Sequence, residues 1–138
     1  MIEFRVGNDL PVDAVIQLLR SSTLAERRPV DDPAIIADML RHASLVVSAW
    51  DGERMVGFAR TLTDFSYVGY LSDLAVGEEY QRQGIGRRLI ETTRSHMGPR
   101  SFLVLLAAPA ASEYYPGIGF SPHPSAWILR HDERLQPH

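Results

Sequence analysis

The sequence predicts a mixed α/β fold in which helices flank one central sheet. Three features of the 138 residues support this class. Apolar residues alternate at strand spacing in some segments and recur at helical spacing in others. An Asp-Gly pair separates two apolar runs, which is typical of an antiparallel hairpin. A helix-like run joins Val68–Val76 to Phe102–Ala108, and such a βαβ connection makes its two strands parallel.

The first part of the chain predicts one strand followed by two helices. Ile2–Val6 has apolar residues at alternate positions, as a strand does. The first helix opens after Asp9 and Pro11, and its apolar stripe comprises Val12, Val15, Ile16 and Leu19. The second begins at Asp32-Pro33, because aspartate is a good N-cap and proline suits the first helical position. Its buried stripe should comprise Ile36, Met39, Leu40 and Ala43.

An antiparallel hairpin should follow the second helix. Its strands, Leu45–Trp50 and Met55–Leu62, are joined by Asp51-Gly52, a pair that supplies the positive φ angles of a tight turn. The next predicted strand is Val68–Val76.

The C-terminal part of the chain predicts the crossover and two short elements. A helix from Ile85 to Met97 should end at Gly98-Pro99, because glycine closes a helix and proline cannot continue it. Phe102–Ala108 is apolar at every position, which predicts a strand buried on both faces. A short helix, Ala110–Tyr115, and a last strand, Trp127–Arg130, complete the predicted elements.

Length and composition limit the classes of function. The chain is long enough for a sizeable core, so residues 1–138 are expected to form a single domain. It has no cysteine, which excludes disulfides and thiolate chemistry. The formal net charge of −3 argues against nucleic-acid and membrane partners. With no signal-like N-terminus and no apolar run of about 18 residues, we expect a cytoplasmic protein.

The most informative segment is the loop Gln81-Arg82-Gln83-Gly84-Ile85-Gly86-Arg87-Arg88, which leads from a strand into a helix. The first N–H groups of a helix lack intrahelical partners, and the helix dipole places partial positive charge there. Gly84 and Gly86 let a ligand approach the backbone closely. Arg82, Arg87 and Arg88 are electrostatically disfavoured at this helix end unless an anion joins them. The loop therefore predicts a phosphate site.

Two common phosphate loops do not fit these residues. A dinucleotide fingerprint needs a third glycine where this chain has Leu89, and a Walker loop needs a Gly-Lys-Ser/Thr ending, which is absent. The remaining pattern, Q-x-x-G-x-G, resembles the pyrophosphate loop of the GNAT superfamily of N-acyltransferases. The segment Tyr114-Tyr115-Pro116-Gly117-Ile118-Gly119-Phe120 is similar to the aromatic-Tyr-x-x-x-Gly-Phe signature of the same family. The clear resemblance covers Val68 to Phe120.

The resemblance implies a fold and a reaction. In the GNAT fold, two parallel central strands splay apart and the pantetheine arm of acetyl-CoA enters between them. The implied activity is direct transfer of the acetyl group from acetyl-CoA to a primary amine in a ternary complex, and the compact chain favours a small-molecule acceptor. The alternatives are a protein lysine or N-terminal acetyltransferase and a non-catalytic acyl-CoA-binding sensor. Because the family is often dimeric, a homodimer is a further expectation.

The resemblance also implies roles for individual residues. Tyr115 would protonate the departing thiolate. Asp73 is the candidate base for the amine, with Asp64 or an ordered water as alternatives. The implied cofactor-binding groups are the backbone of Leu74, Ala75 and Val76 and the loop residues Gln81, Arg82, Gln83, Gly84, Ile85, Gly86, Arg87 and Arg88.

Other residues depart from the family pattern or have simpler explanations. Pro116-Gly117 should end the last helix early, and Ala107-Ala108-Pro109 stands where many relatives have an asparagine that contacts pantetheine. Asp31 and Asp32 either cap a helix or suit a cationic amine. No metal site is expected, because no metal-ligand spacing links His42, His96, His123, His131 and His138.

Overall fold

The structure, a computed structural model, describes residues 1–137. The chain divides into two compact units, Met1–Leu106 and a second unit that begins at Ala107. The expectation that residues 1–138 form a single domain stays a prediction. None of the helices within residues 1–137 is long and apolar enough to cross a membrane.

The first unit is a five-stranded mixed sheet with three helices. The strands follow one another in the order β1-β2-β3-β4-β5, and all neighbours are antiparallel except β4 and β5, which are parallel. The strands are β1 (Ile2–Val6), β2 (Leu45–Asp51), β3 (Arg54–Thr63), β4 (Val68–Val76) and β5 (Phe102–Val104). The helices are α1 (Val12–Arg20), α2 (Pro33–Arg41) and α3 (Ile85–Ser95), with 3-10 turns at Thr23–Arg27 and Glu78–Tyr80. The predicted mixed α/β class is confirmed.

Local signals set the start of α2 and the position of the hairpin close to where the sequence predicts them, whereas α3 ends at Ser95, before the predicted stop at Gly98-Pro99. Asp32 Oδ1 accepts a hydrogen bond from the N–H of Ile35 at 3.4 Å, and Pro33 occupies the first position of α2. Gly52 has a φ of +61° in the turn between β2 and β3, a conformation that glycine adopts without steric cost. The predicted start of α2 is confirmed. The predicted hairpin also forms, but its turn residues are Gly52 and Glu53, because Asp51 ends β2 and pairs with Arg54.

Both faces of the sheet are covered. α1 and α2 pack on one face, where the buried cluster includes Val15, Leu19, Ile36, Leu40 and Phe58. α3 packs on the other face, because successive strand residues point to opposite sides and Gly57, the neighbour of Phe58, lies against Leu89 and Ile85. A Cβ at Gly57 would come within 3.2 Å of Leu89 Cδ1. Glycine here lets α3, and the loop at its N-terminus, approach the sheet closely.

β4 contains a bulge in its pairing with β3. Arg60 pairs with Asp73, but the next residue of β3, Thr61, pairs with Leu71. Ser72 is therefore an extra residue in β4, and such an insertion bends the strand and redirects the side chains beside it.

β4 and β5 separate along their length. They pair only where Val68–Tyr70 lies beside Phe102–Val104, whereas β4 continues to Val76. The two parallel strands therefore splay apart beyond Tyr70, as the resemblance implies. One side of the β4 backbone is left without a strand partner in the first unit.

β5 is shorter and more exposed than its apolar sequence predicts. It covers only Phe102–Val104, and the side chains of Phe102 and Val104 are 49% and 42% exposed. The prediction of a strand over Phe102–Ala108 that is buried on both faces is therefore wrong. β5 is the edge strand of the described sheet, so no neighbouring strand extends its pairing on the outer side.

The second unit consists mainly of turns. In place of the helix predicted over Ala110–Tyr115, it has a 3-10 turn at Pro109–Ala111 and a short helix, α4 (Tyr114–Gly117). Pro116 is the third residue of α4, a position that needs no intrahelical N–H bond. The helix ends at Gly117, so the predicted early end at Pro116-Gly117 agrees with the structure. The strand predicted over Trp127–Arg130 is wrong for the described chain: this segment is irregular, and Trp127 is 94% exposed. An isolated extended segment has no ladder hydrogen bonds to hold it.

Candidate functional site

The loop between β4 and α3 presents a run of unused backbone donors. Within residues 1–137, none of the N–H groups from Arg82 to Arg87 donates to a protein acceptor, and Arg88 N–H begins the helical bonding to Gly84 C=O at 3.1 Å. Gly84 is the N-cap of α3 with a φ of +80°, and Arg82 has a positive φ of +64°. Left-handed non-glycine residues cost about 1–2 kcal/mol and cluster at functional sites. These donors lie at the positive end of the helix dipole, where a phosphate binds well.

Two side chains just before the free N–H groups hold the loop in place. Gln81 Nε2 donates to the C=O of Val76 at 3.0 Å, which ties the loop to the end of β4. The Tyr80 hydroxyl donates to Asp51 Oδ2 at 2.7 Å, which ties the loop to the end of β2. The free N–H groups are thereby ordered before any ligand arrives, which lowers the entropy lost on binding.

The three arginines of the loop are not equally available. Arg87 Nη1 pairs with Glu91 one turn along α3 at 2.7 Å. The Arg88 guanidinium lies over the Phe4 ring, 4.4 Å from its centroid. Arg82 has no charged or aromatic partner among residues 1–137. Of the three predicted phosphate partners, Arg82 is the one whose charge is uncommitted.

The backbone of β4 faces alternately toward β3 and toward the gap beside β5. The N–H of Gly77 donates to the C=O of Val56 in β3 at 2.9 Å. Because backbone groups change side at each residue, Ala75 also faces β3, whereas Leu74 and Val76 face the gap. An extended molecule in the gap would pair with Leu74 and with the N–H of Val76 as an added strand does, whereas the C=O of Val76 already accepts from Gln81 Nε2.

Asp73, the candidate base, is buried between two arginines. Its side chain has no exposure to solvent. Arg28 Nε donates to Oδ1, and Arg60 Nε donates to Oδ2 at 2.5 Å. The same arginines bind the bulge residue: Arg28 Nη2 donates to Ser72 C=O at 2.6 Å, and Arg60 Nη2 donates to the Ser72 hydroxyl at 2.7 Å. Both carboxylate oxygens are occupied, and the cluster holds the bulge immediately before Leu74.

Arg28 and Arg60 are not among the site residues that the sequence predicts. Arg60 carries one local signal, since it interrupts the apolar core of β3. Arg28 carries none, because it follows a 3-10 turn and reaches a partner 45 positions away.

Asp64, the second candidate base, lies at the opposite end of β4. Its Oδ1 accepts the N–H groups of Tyr67 at 2.8 Å and Ser66 at 2.9 Å, in the turn between β3 and β4. These backbone bonds, with a third from Val68, lower the pKa of Asp64. At about 3.3 Å per residue, the start of β4 is roughly 20 Å from Leu74. Asp64 organises the turn and is too distant to act on an amine at Leu74.

Tyr115, the candidate acid, lies in α4 of the second unit. Its ring meets Tyr114 and Phe120 edge-on, with centroids 5.2 Å and 5.4 Å away. Burial raises the pKa of the Tyr115 hydroxyl above 10.0, and the neighbouring Tyr114 raises it further. A hydroxyl with a raised pKa keeps its proton at neutral pH, as a proton donor must.

Comparison with known proteins identifies the family. A family model of the acetyltransferase (GNAT) domain matches residues 29–131. The chain is 31% identical over 74 residues to histone acetyltransferase TAP1 of Glycine max, a stretch that is 52% of this chain and 32% of that protein. The chain spans about a third of the length of the curated relatives it matches.

Solved structures share the fold. A protein of unknown function from meticillin-resistant Staphylococcus aureus aligns with a TM-score of 0.76 at 22% identity, covering 94% of this chain and 98% of that one. The aminoglycoside N-acetyltransferase AAC(6')-Iy, solved in complex with CoA, aligns with a TM-score of 0.73 at 17% identity, covering 96% and 95%. The free donors at α3 and the open side of β4 fit the diphosphate and the extended arm of such a molecule. The chain therefore belongs to the GNAT superfamily of acetyltransferases, whose co-substrate is acetyl-CoA.

Proposed function

We propose that this protein moves the acetyl group of acetyl-CoA to the primary amine of a small molecule, by direct transfer in a ternary complex. The observation that carries the proposal is the run of free N–H groups from Arg82 to Arg87, at the helix end next to the open side of β4. A diphosphate on this loop and an extended arm beside β4 would use donors that the described chain leaves unused. The thioester at the end of the arm would then lie against the backbone of Leu74.

The reaction makes three demands on the protein. As the amine attacks the thioester carbonyl, a C–N bond forms and the C–S bond breaks; the amine loses a proton and the thiolate gains one. We assign stabilisation of the oxyanion to the N–H group of Leu74, the residue against which the thioester would lie. We assign protonation of the thiolate to Tyr115, whose raised pKa favours the protonated hydroxyl. Direct transfer needs no covalent enzyme intermediate, in keeping with a chain that has no cysteine.

We assign removal of the amine proton to ordered water. Asp73 accepts charged hydrogen bonds at both oxygens, so neither oxygen is directed at a substrate. Asp64 serves the turn at the other end of β4. Asp73 is better explained as the anchor of the bulge, which sets the direction of the Leu74 backbone.

A panel of amines tests this proposal. With acetyl-CoA present and free CoA measured, small primary amines should release CoA well above the amine-free rate, and peptides with a free lysine or N-terminus should not exceed them. A preference for peptides would move the acceptor to proteins, the class that the name of the Glycine max relative suggests. Binding of acetyl-CoA with no release from any amine would mark a non-catalytic acyl-CoA sensor.

Gly86 offers a test of the phosphate site. It lies in the first turn of α3 without a positive φ, and a helix prefers alanine to glycine by about 1 kcal/mol. We expect Gly86→Ala to keep or raise the Tm, yet to weaken CoA binding about tenfold because its methyl group obstructs the phosphate. Titration calorimetry measures the affinity, and Arg94→Ala at the other end of α3 is the matched control. An unchanged affinity in a folded Gly86→Ala protein would place the phosphates elsewhere.

The location of the protein in the cell and its oligomeric state stay predictions. A cytoplasmic location is favoured by the absence of cysteine. A homodimer rests on the family resemblance alone.

A further inference from the structure

The ion cluster at the β4 bulge carries an excess positive charge. One carboxylate, Asp73, faces two guanidinium groups, Arg28 and Arg60. The Arg60 side chain is only 9% exposed and that of Arg28 only 21% exposed. The remaining partners, Ser72 and the C=O of Arg27, are neutral. Within residues 1–137, one positive charge is therefore left without a counter-ion in poorly solvated surroundings. Such a charge is costly unless an anion joins it.

Arg60 also has guanidinium N–H groups that the protein does not use. A guanidinium carries five N–H bonds in a planar fork. Arg60 uses Nε on Asp73 and Nη2 on the Ser72 hydroxyl. Its Nη1 has no hydrogen-bond partner among residues 1–137, although the side chain is nine-tenths buried. A planar carboxylate is the anion whose geometry this fork matches.

The cluster lies beside the proposed transfer site. Asp73 immediately precedes Leu74 and shares a face of the sheet with Ala75, which belongs to the cluster packed under α1 and α2. Arg28 reaches it from the segment between those two helices. A molecule that approaches the thioester from this face meets the arginines first.

Nearby acids do not neutralise the excess charge. Asp31 pairs with Arg20 at 3.5 Å. Asp32 caps α2 through Ile35 N–H. The third acid between α1 and α2, Glu26, is exposed, and among residues 1–137 none of the three forms an ion pair with Arg28 or Arg60. That Asp31 and Asp32 suit a cationic amine stays a prediction.

We propose that the acceptor carries a carboxylate as well as its amine, as an amino acid does, and that Arg60 and Arg28 bind this carboxylate. This inference rests on the proposed function and narrows its substrate class. It separates this chain from the structural neighbours named as aminoglycoside acetyltransferases, because polycationic acceptors would be repelled by the cluster. The amine of the acceptor would then point toward the thioester at Leu74.

Binding of product analogues tests the inference without requiring turnover. The probes are N-acetylglycine, N-acetylalanine, N-acetylleucine and N-acetylglutamate, each compared with its carboxamide on the full chain saturated with CoA. At least one acid should bind about tenfold more tightly than its carboxamide, as a charge-assisted hydrogen bond allows. Titration calorimetry measures both. Equal affinities throughout the series, or tighter binding of a polyamine such as spermidine, would overturn the proposal.

Variants test whether Arg28 and Arg60 cause the preference for an acid over its carboxamide. Arg28→Gln removes the excess charge without removing Arg60, and the preference for the acid should fall to within about threefold, while Arg28→Lys should retain most of it. Arg27→Gln, an exposed neighbour in the same segment, should leave the preference intact. A preference unchanged in a folded Arg28→Gln protein would contradict the assignment. If acids bind preferentially but no amine releases CoA, the proposed acetyl transfer is wrong and the carboxylate site is supported. If simple amines are acetylated without any preference for acids, the acetyl transfer is supported and the carboxylate site is wrong.

Discussion

Replacing Tyr115 with phenylalanine should lower kcat by about 10²–10⁴-fold and leave the affinity for acetyl-CoA unchanged. The ring remains, with its edge-on contacts to Tyr114 and Phe120, so the local fold should remain as well. The change removes only the proton that we assign to the departing thiolate. Because that interaction acts in the transition state, kcat and kcat/KM should fall together. Steady-state kinetics with the best amine of the panel measures both.

The pH dependence supplies a second readout for Tyr115. Burial raises the pKa of its hydroxyl above 10.0, so the proton is held through the neutral range and is lost only at higher pH. The wild-type kcat should therefore persist to about pH 10 and fall above it, and this alkaline fall should be absent from Tyr115→Phe. Tyr114→Phe is the matched control, because the family signature requires only an aromatic ring there. Nearly full kcat in Tyr115→Phe would make Tyr115 a packing residue and leave the thiolate to solvent.

The sequence predicts those parts of the fold whose signals are local. β4 covers Val68–Val76, the range that its apolar pattern predicts. α2 begins where Asp32 caps it, and the hairpin turns at Gly52-Glu53, one residue beyond the predicted pair. The phosphate loop is also recognisable, because its glycines and the start of α3 are adjacent in the chain. In each case the deciding interactions join residues within a few positions of one another.

The sequence does not reveal features that depend on distant partners. β5 ends at Val104 and not at Ala108, since an apolar run forms a strand only where a neighbour pairs with it. The arginines on Asp73 come from an inter-helix segment and from β3, and no local pattern links Arg28 or Arg60 to a carboxylate in β4. From the sequence, Asp73 is interpreted as a base because it precedes the transfer site. Its two arginine partners favour a role as the anchor of the bulge instead.

Replacing Asp73 with alanine should lower the free energy of unfolding by about 3–5 kcal/mol, the usual cost of removing one side of a buried ion pair. Arg28 and Arg60, 21% and 9% exposed, would face each other without an anion. Their bonds to Ser72 would not compensate, because the serine groups are neutral. Urea unfolding measures the loss. Asp31→Ala is the matched control, since its ion pair with Arg20 is exposed and such pairs contribute little.

The variant Asp73→Asn distinguishes an anchor from a base. An amide oxygen still accepts a hydrogen bond from one arginine but brings no charge, so an anchor predicts a loss of stability smaller than that of alanine and still measurable. A base predicts the opposite pattern, because asparagine fits the same space and would leave stability intact while kcat falls and the acid limb of the pH profile disappears. The buried carboxylate, bonded at both oxygens, favours the first pattern. If Asp73→Asn unfolds at the wild-type urea midpoint and still loses kcat, the carboxylate takes the amine proton and the two arginines tune it instead of holding the bulge.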